Sequence, residues 1–255
     1  MSNLILGVDA GNYQAKTVGP YGVDAYRTAI CDWFPRDIVE SFGNNDDMEF
    51  EVNGRMGYAG TIAVYEDEFG IGGAMYGDSK AHEDTLIRVL LAIYRYTEKY
   101  CPSERRVSIV TGQPIAKHND TEKKRIIDML KGQHEFSVNG EWQRIIIDDV
   151  LVSPEGAGIF WANPRMGLVR CLDPGSGTLN CLSVSDKRII NTSSDTFDIG
   201  TETVDSSDPE RYAHGIVRAL TRLKWQQNDY ISLGGGSANI LFPYIEKRFP
   251  ATEVL

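Results

Sequence analysis

Two short stretches carry residues whose order suits phosphate chemistry: Val8-Asp9-Ala10-Gly11-Asn12-Tyr13 and Leu172-Asp173-Pro174-Gly175-Ser176-Gly177-Thr178. In each, an apolar strand ends in Asp, Gly follows within two residues, and an amide or hydroxyl residue comes next. Glycine lets the main chain approach closely, so backbone N–H groups can donate to a phosphate. An Asp at a strand end can hold a hydrated Mg²⁺, a hard cation bound through oxygens and water. One such unit in each half of the chain predicts duplicated halves with a nucleotide between them. Two further sites share the pattern of small residues and acid at strand ends: Ser153-Pro-Glu155-Gly and Gly234-Gly235-Gly236-Ser237. Each has a plainer reading. An Asx-type turn suffices for residues 9–12, Glu155 suits the first turn of a helix, and the three glycines suit a flexible turn. Four such sites at four strand ends favour the common explanation over coincidence.

The elements that must position these groups follow from periodicity and turn chemistry. Leu4–Val8, Ala15–Val18 and Val23–Ile30 read as a strand meander. Met48–Val52 alternates and is closed by Asn53-Gly54, a hairpin signal repeated at Asn139-Gly140 between 136–138 and 142–147. Phe69–Asp78 is glycine-rich and reads as a surface loop. A helix is expected from about His82 to Tyr100, with Leu86, Leu90, Ile93 and Thr97 on one face. Val107–Thr111 is a core strand, and Asn119 opens a second helix with Glu122 at its third position. Val150–Val152 leads as a separate strand into Glu155. The second half repeats the order with strands 168–172, 178–184 and 188–191. A helix follows, capped by Asp208-Pro209, with Tyr212, Ile216, Leu220 and Leu223 buried. Tyr230–Leu233 runs into the three glycines, and a last helix spans Ala238 to about Arg248. Trp142, Trp161 and Trp225 read as core anchors.

Composition narrows the class of function. The chain has 255 residues, 42% of them hydrophobic, with no run long enough to span a membrane. Its apolar N-terminal run is short and lacks a basic leader. Four scattered cysteines without paired spacing suit free thiols in a reducing cytosol, so a cytoplasmic location is expected. Lys+Arg number 26 against 36 Asp+Glu, giving −10, which disfavours direct nonspecific binding to nucleic acid. The P-loop signature is absent, and the four histidines have no metal spacing.

The ordered set Asp9-x-Gly-Asn, Ser153-Pro-Glu155-Gly, Asp173-x-Gly-x-x-Thr178 and Gly234-Gly-Gly resembles the phosphate-1, connect-1, phosphate-2 and adenosine motifs of the actin-like ATPase superfamily. Within it the chain looks most similar to the bacterial plasmid-segregating actins of the ParM type. Gly-Val-Asp-Ala-Gly-Asn with Lys16 following, Val-Thr-Gly-Gln-Pro and Val-Ser-Pro-Glu-Gly are phrases of that branch. The resemblance implies an α/β fold of two RNase H-like halves around a nucleotide cleft. Residues 1–150 would form subdomain I with an IB-like insertion, and 151–255 a reduced subdomain IIA. It implies Mg-ATP binding and hydrolysis to ADP, coupled to assembly into filaments that segregate plasmid or phage DNA. Carried over residue by residue, Asp9 and Asp173 would hold Mg²⁺ through water. Gly11, Asn12, Tyr13, Gly175, Ser176, Gly177 and Thr178 would surround the phosphates, and Lys16 would offset their charge. Glu155 would orient the attacking water, and Gly234, Gly235 and Gly236 would face adenosine. The implied partners are further copies of the chain and a DNA-binding adaptor on a centromere-like site, with no membrane. Two departures stand out. The short stretch between Asp173 and Gly234 leaves no room for subdomain IIB, as in AlfA-like members. Phe249-Pro250-Ala-Thr-Glu-Val-Leu255 stops where relatives continue through a strand and a last helix. A small-molecule kinase of the same fold and a non-catalytic nucleotide-binding scaffold are the alternatives.

Overall fold

A computed structural model describes residues 4–37, 46–66 and 79–255. The glycine-rich stretch 69–78 lies outside the described residues. The chain divides into two compact units, Met1–Gly112 with Asn119–Val152, and Gln113–His118 with Ser153–Leu255.

In the first unit, β1 (Leu4–Ala10), β2 (Gln14–Gly19) and β3 (Gly22–Arg27) form an antiparallel meander. Alternation in β1 buries Leu4, Leu6, Val8 and Ala10 and leaves Ile5 and Asp9 exposed. The expected strand 23–30 is interrupted after Arg27, and β4 (Ile30–Asp32) pairs elsewhere. β5 (Met48–Val52) and β6 (Arg55–Ala59) flank Asn53 and Gly54, whose φ values of +53° and +82° suit a two-residue hairpin loop. A short helix, α1 (Thr61–Glu66), follows.

Helix α2 (Glu83–Tyr100) buries the expected Leu86, Leu90, Ile93 and Thr97. Ile87, Val89, Leu91 and Ala92 are buried as well, because its flanks are also covered. β7 (Arg106–Gln113) runs parallel to β1. Helix α3 (Asp120–Leu130) is capped by Asn119, whose Oδ1 accepts from Glu122 N at 3.0 Å. β8 (Gly132–Val138) and β9 (Glu141–Pro154) flank the second Asn-Gly hairpin. The two separate strands expected over 142–152 are one continuous β9, since Asp148 and Asp149 sit on it without breaking it. The sheet order is β3-β2-β1-β7-β9-β8-β5-β6-β4.

In the second unit, α4 (Ala157–Ala162) precedes β10 (Leu168–Pro174), which pairs antiparallel with β11 (Leu179–Ser185). β12 covers only Arg188–Ile189, β13 (Asp195–Phe197) returns to pair with β11, and α5 (Pro209–Arg222) follows. Asp208 Oδ1 caps α5 by accepting from Glu210 N and Arg211 N at 3.0 and 3.1 Å. β14 (Tyr230–Leu233) runs parallel to β10, and α6 (Ala238–Ile245) leads to β15 (Thr252–Val254), parallel to β14. The sequence reading missed β15, a three-residue strand after Pro250 with little periodicity to detect. The tryptophans also correct the reading. Trp225 is buried, but Trp142 and Trp161 are exposed, on β9 next to the Asn139-Gly140 turn and on α4.

Candidate functional site

The first group of site residues surrounds the β1–β2 turn. Register places Asp9 opposite Lys16, both exposed, with Ala10 opposite Ala15. Between them, Gly11 turns so tightly that a Cβ there would lie 2.9 Å from the Gln14 carbonyl oxygen. Lys80 Nζ stands 3.8 Å from Asp9 Oδ1, and the Arg27 guanidinium lies over the Tyr13 ring, 3.4 Å from its centroid. The turn is held from beneath by Arg88 of α2, only 3% exposed. Arg88 Nη1 donates to Asn12 Oδ1 at 2.9 Å, and Nε donates to the Thr28 carbonyl at 3.2 Å. Thr28 Oγ1 in turn donates to the Asn12 carbonyl at 2.7 Å. Burial pulls the Arg88 guanidinium below its usual pKa range, with the nearby Asp84 charge opposing that shift. A buried guanidinium under a phosphate-type turn adds fixed positive potential while it fixes the loop. Sequence reasoning missed it, although an Arg inside the run Leu86-Ile-Arg-Val-Leu-Leu-Ala-Ile93 is a signal in itself.

The second group lies in the other unit, and there the parallel pairing of β10 with β14 brings two motifs together. Leu172 is opposite Leu233, and Gly234 N donates to the Leu172 carbonyl at 2.9 Å. Gly235 has φ +88°, and a Cβ on it would fall 2.6 Å from Asp173 Oδ1. Gly234 lies against Ile159, whereas a Cβ on Gly236 would meet nothing within 4 Å. The turn 175–178 is closed by Gly175 N donating to the Thr178 carbonyl at 2.8 Å. Its carbonyls are tied to one neighbouring segment. Thr201 N, Glu202 N and Thr203 Oγ1 donate to the carbonyls of Gly175, Ser176 and Gly177 at 3.2, 2.8 and 3.2 Å. A trans peptide points its N–H opposite to its C=O. The N–H groups of Ser176, Gly177 and Thr178 therefore face away from that segment, as an anion cradle requires. Gly200 makes the close approach possible, since a Cβ there would collide with the Ser176 carbonyl. The sequence reading overlooked Gly200.

Glu155 follows β9 in a turn that Gly156 completes at φ +84°. Its N–H donates to the Gln113 carbonyl at 2.8 Å, and its Oε2 accepts from Asn180 Nδ2 at 2.6 Å. Asn180 is opposite Asp173 in the β10–β11 register. The second unit thus assembles Glu155, Asp173, the 175–178 turn and Gly234–Gly235 around one hairpin. Gln113 is fully buried, and neither polar atom of its side chain has a partner among the described residues. An unsatisfied buried amide beside the Glu155 turn is a costly feature that packing alone does not explain. Among the described residues, no group of three or more His, Cys, Asp or Glu side chains converges as a ready metal cage. No described helix is long and apolar enough to cross a membrane.

The family model described as the actin-like proteins N-terminal domain matches residues 7–158, more than half of the chain. Among solved structures, an AlfA filament from a plasmid of B. subtilis is similar at a TM-score of 0.84 and 20% identity, covering 99% of this chain and 91% of that one. An AlfA filament bound to AMPPNP gives 0.79 at 20% identity over 99% and 89% of the two chains. A 15-stranded ParM filament from Clostridium botulinum gives 0.78 at 16%, over 100% and 95%. No curated protein sequence matches the chain.

Proposed function

Since the chain belongs to the actin-like protein family, we propose that it binds and hydrolyses ATP and assembles with nucleotide into filaments that segregate plasmid or phage DNA. The observation that carries the nucleotide reading is the 173–178 turn, with its carbonyls tied down on one side and Gly235 pressed against Asp173. The side of the turn opposite the tied carbonyls suits a polyphosphate. Gly236, where a Cβ would meet nothing within 4 Å, leaves that strand end open for a purine ring. The filament reading is supported by likeness to AlfA and ParM proteins solved as filaments, one of them bound to AMPPNP.

In this reading the first unit offers Gly11, Asn12 and Tyr13 at the turn and Lys16 as the balancing charge. The second unit offers Ser176, Gly177 and Thr178 N–H groups to the phosphates. Asp9 and Asp173 would hold Mg²⁺ through water, as a hard cation that keeps several of its waters allows. The metal, when bound, neutralises phosphate charge. Glu155, fixed at its backbone by Gln113 and at its carboxylate by Asn180, orients the attacking water. The short 173–234 connection is read as the loss of subdomain IIB, and cytoplasmic residence with a DNA-binding adaptor completes the model. Glu155→Ala should slow phosphate release by about 10²–10⁴-fold while nucleotide binding persists; unchanged turnover removes Glu155 from this role. High-speed pelleting with Mg-ATP, Mg-ADP or no nucleotide, with micrographs of each pellet, tests the whole reading. Filaments in the ATP sample alone are expected, and a protein that stays in solution in all three sinks it.

A further inference from the structure

We infer that Asn180 is a positioning residue that aims the Glu155 carboxylate through an oriented hydrogen-bond chain running back to Ala116. The inference rests on the role of Glu155 proposed above. The chain has one direction. Ala116 N–H donates to Thr196 Oγ1 at 3.4 Å, Thr196 Oγ1 donates to Asn180 Oδ1 at 2.7 Å, and Asn180 Nδ2 donates to Glu155 Oε2 at 2.6 Å. Thr196 and Asn180 stand directly opposite each other in the β11–β13 register, so their bond is a cross-strand pair supported by the sheet. Flipping the Asn180 amide would set its carbonyl oxygen against the carboxylate, two acceptors in contact, so the orientation is forced. Asn180 is 3% exposed, which leaves little water to replace the donor if it were lost. A carboxylate at 180 could not do this work, because two anions at that spacing repel. Glu155 is thereby held at both ends, its N–H on the Gln113 carbonyl and its Oε2 on Asn180.

Two measurements on the full chain decide the matter. In protein with labelled Asn side chains, the Asn180 amide resonances should move when Glu155→Ala is introduced. In steady-state phosphate release, Asn180→Asp keeps the acceptor for Thr196 but loses the donor to Glu155. It should lower kcat on the order of ten-fold, with nucleotide affinity changed less than about two-fold. In a Glu155→Gln background the same substitution should cost less than about two-fold, since the group it acts through is already gone. Thr196→Val should fall between wild type and Asn180→Asp, and Thr196→Ser should restore wild-type turnover. Equal losses in both backgrounds, or an unchanged kcat, overturn the inference. Amide resonances indifferent to Glu155→Ala also overturn it and leave the ATPase reading standing. If the resonances respond but the wild-type chain releases no phosphate, the ATPase reading fails and the positioning role falls with it.

Discussion

At the scale of single residues, the two candidate turns are held by groups of opposite legibility. Gly235 was readable, because a Gly-rich strand end permits close approach, and the structure shows what it approaches. Gly235→Ala should add left-handed strain of about 1 kcal/mol and push aside the Asp173 carboxylate, 2.6 Å from the new Cβ. The expected outcome is nucleotide affinity reduced more than ten-fold with a modest fall in Tm. Gly236→Ala, with nothing within 4 Å, should leave Tm unchanged. Equal falls in Tm from both substitutions, or an unchanged affinity for Gly235→Ala in fluorescence titrations, would mean that Asp173 is not the point of contact. The apolar run around Arg88 signals a buried guanidinium, but nothing local names its partner 76 residues away, and nothing at all marks Asn180, whose partner lies 25 residues away. Arg88→Met keeps the volume of the stem but strands the Asn12 and Thr28 oxygens in a buried place. It should cost on the order of 3 kcal/mol in urea unfolding and weaken nucleotide binding besides. A loss of less than about 0.5 kcal/mol would show that the loop relaxes to water instead.

At the scale of elements, local signals decided most boundaries, and tertiary pairing decided the rest. The Asn53-Gly54 and Asn139-Gly140 loops, the Asn119 and Asp208 caps and the apolar stripe of α2 all work through neighbours in sequence, so they were legible. β9 was not, because it is one strand by virtue of its sheet neighbours, β8 along 141–147 and β7 on its other side, and not of any signal in its own sequence. Neither was β15, whose three residues form a strand only because β14 lies beside them. The β10–β11 hairpin makes a testable statement of its own, since it buries Cys171 and Cys181. Burial pushes the Cys171 thiol from 9.0 up to about 12, and Asp173 adds to the shift. Cys181 is raised well above its ordinary value by the same cause. Between pH 9 and about 12 the unfolded chain therefore binds fewer protons at Cys171 than the folded one does. Stability conferred by this thiol is whole below pH 9 and is lost as pH rises through that window, at about 1.4 kcal/mol per unit. Urea unfolding at pH 8 and pH 10.5 should show a steeper fall for wild type than for Cys171→Ala. Parallel falls would mean that the hairpin opens to solvent before it titrates.

At the scale of the whole molecule, net charge sets the terms on which copies of the chain can meet. Each copy carries −10 at pH 7, so bringing many together raises a repulsion that acts over the whole facing surface. Attractive ion pairs at a contact act only within a few ångströms, and exposed ones contribute between 0 and about 1 kcal/mol each. Salt shortens the reach of electrostatics from about 30 Å at 0.01 M to about 8 Å at 0.15 M. Screening of that kind removes more of the long-range repulsion than of the short-range attraction. At fixed Mg-ATP, the critical concentration for pelleting should therefore fall several-fold between those two salt concentrations. A rise would instead locate strongly opposed charge patches at the contact, because those are what salt weakens. The same charge bears on cargo. A polyanion gains little by releasing counterions from DNA when its ligand is itself negative, so filaments at 0.15 M salt should sediment without added duplex DNA. Duplex DNA found in the pellet in the absence of any second protein would remove the need for an adaptor and point to a local basic surface that overrides the total.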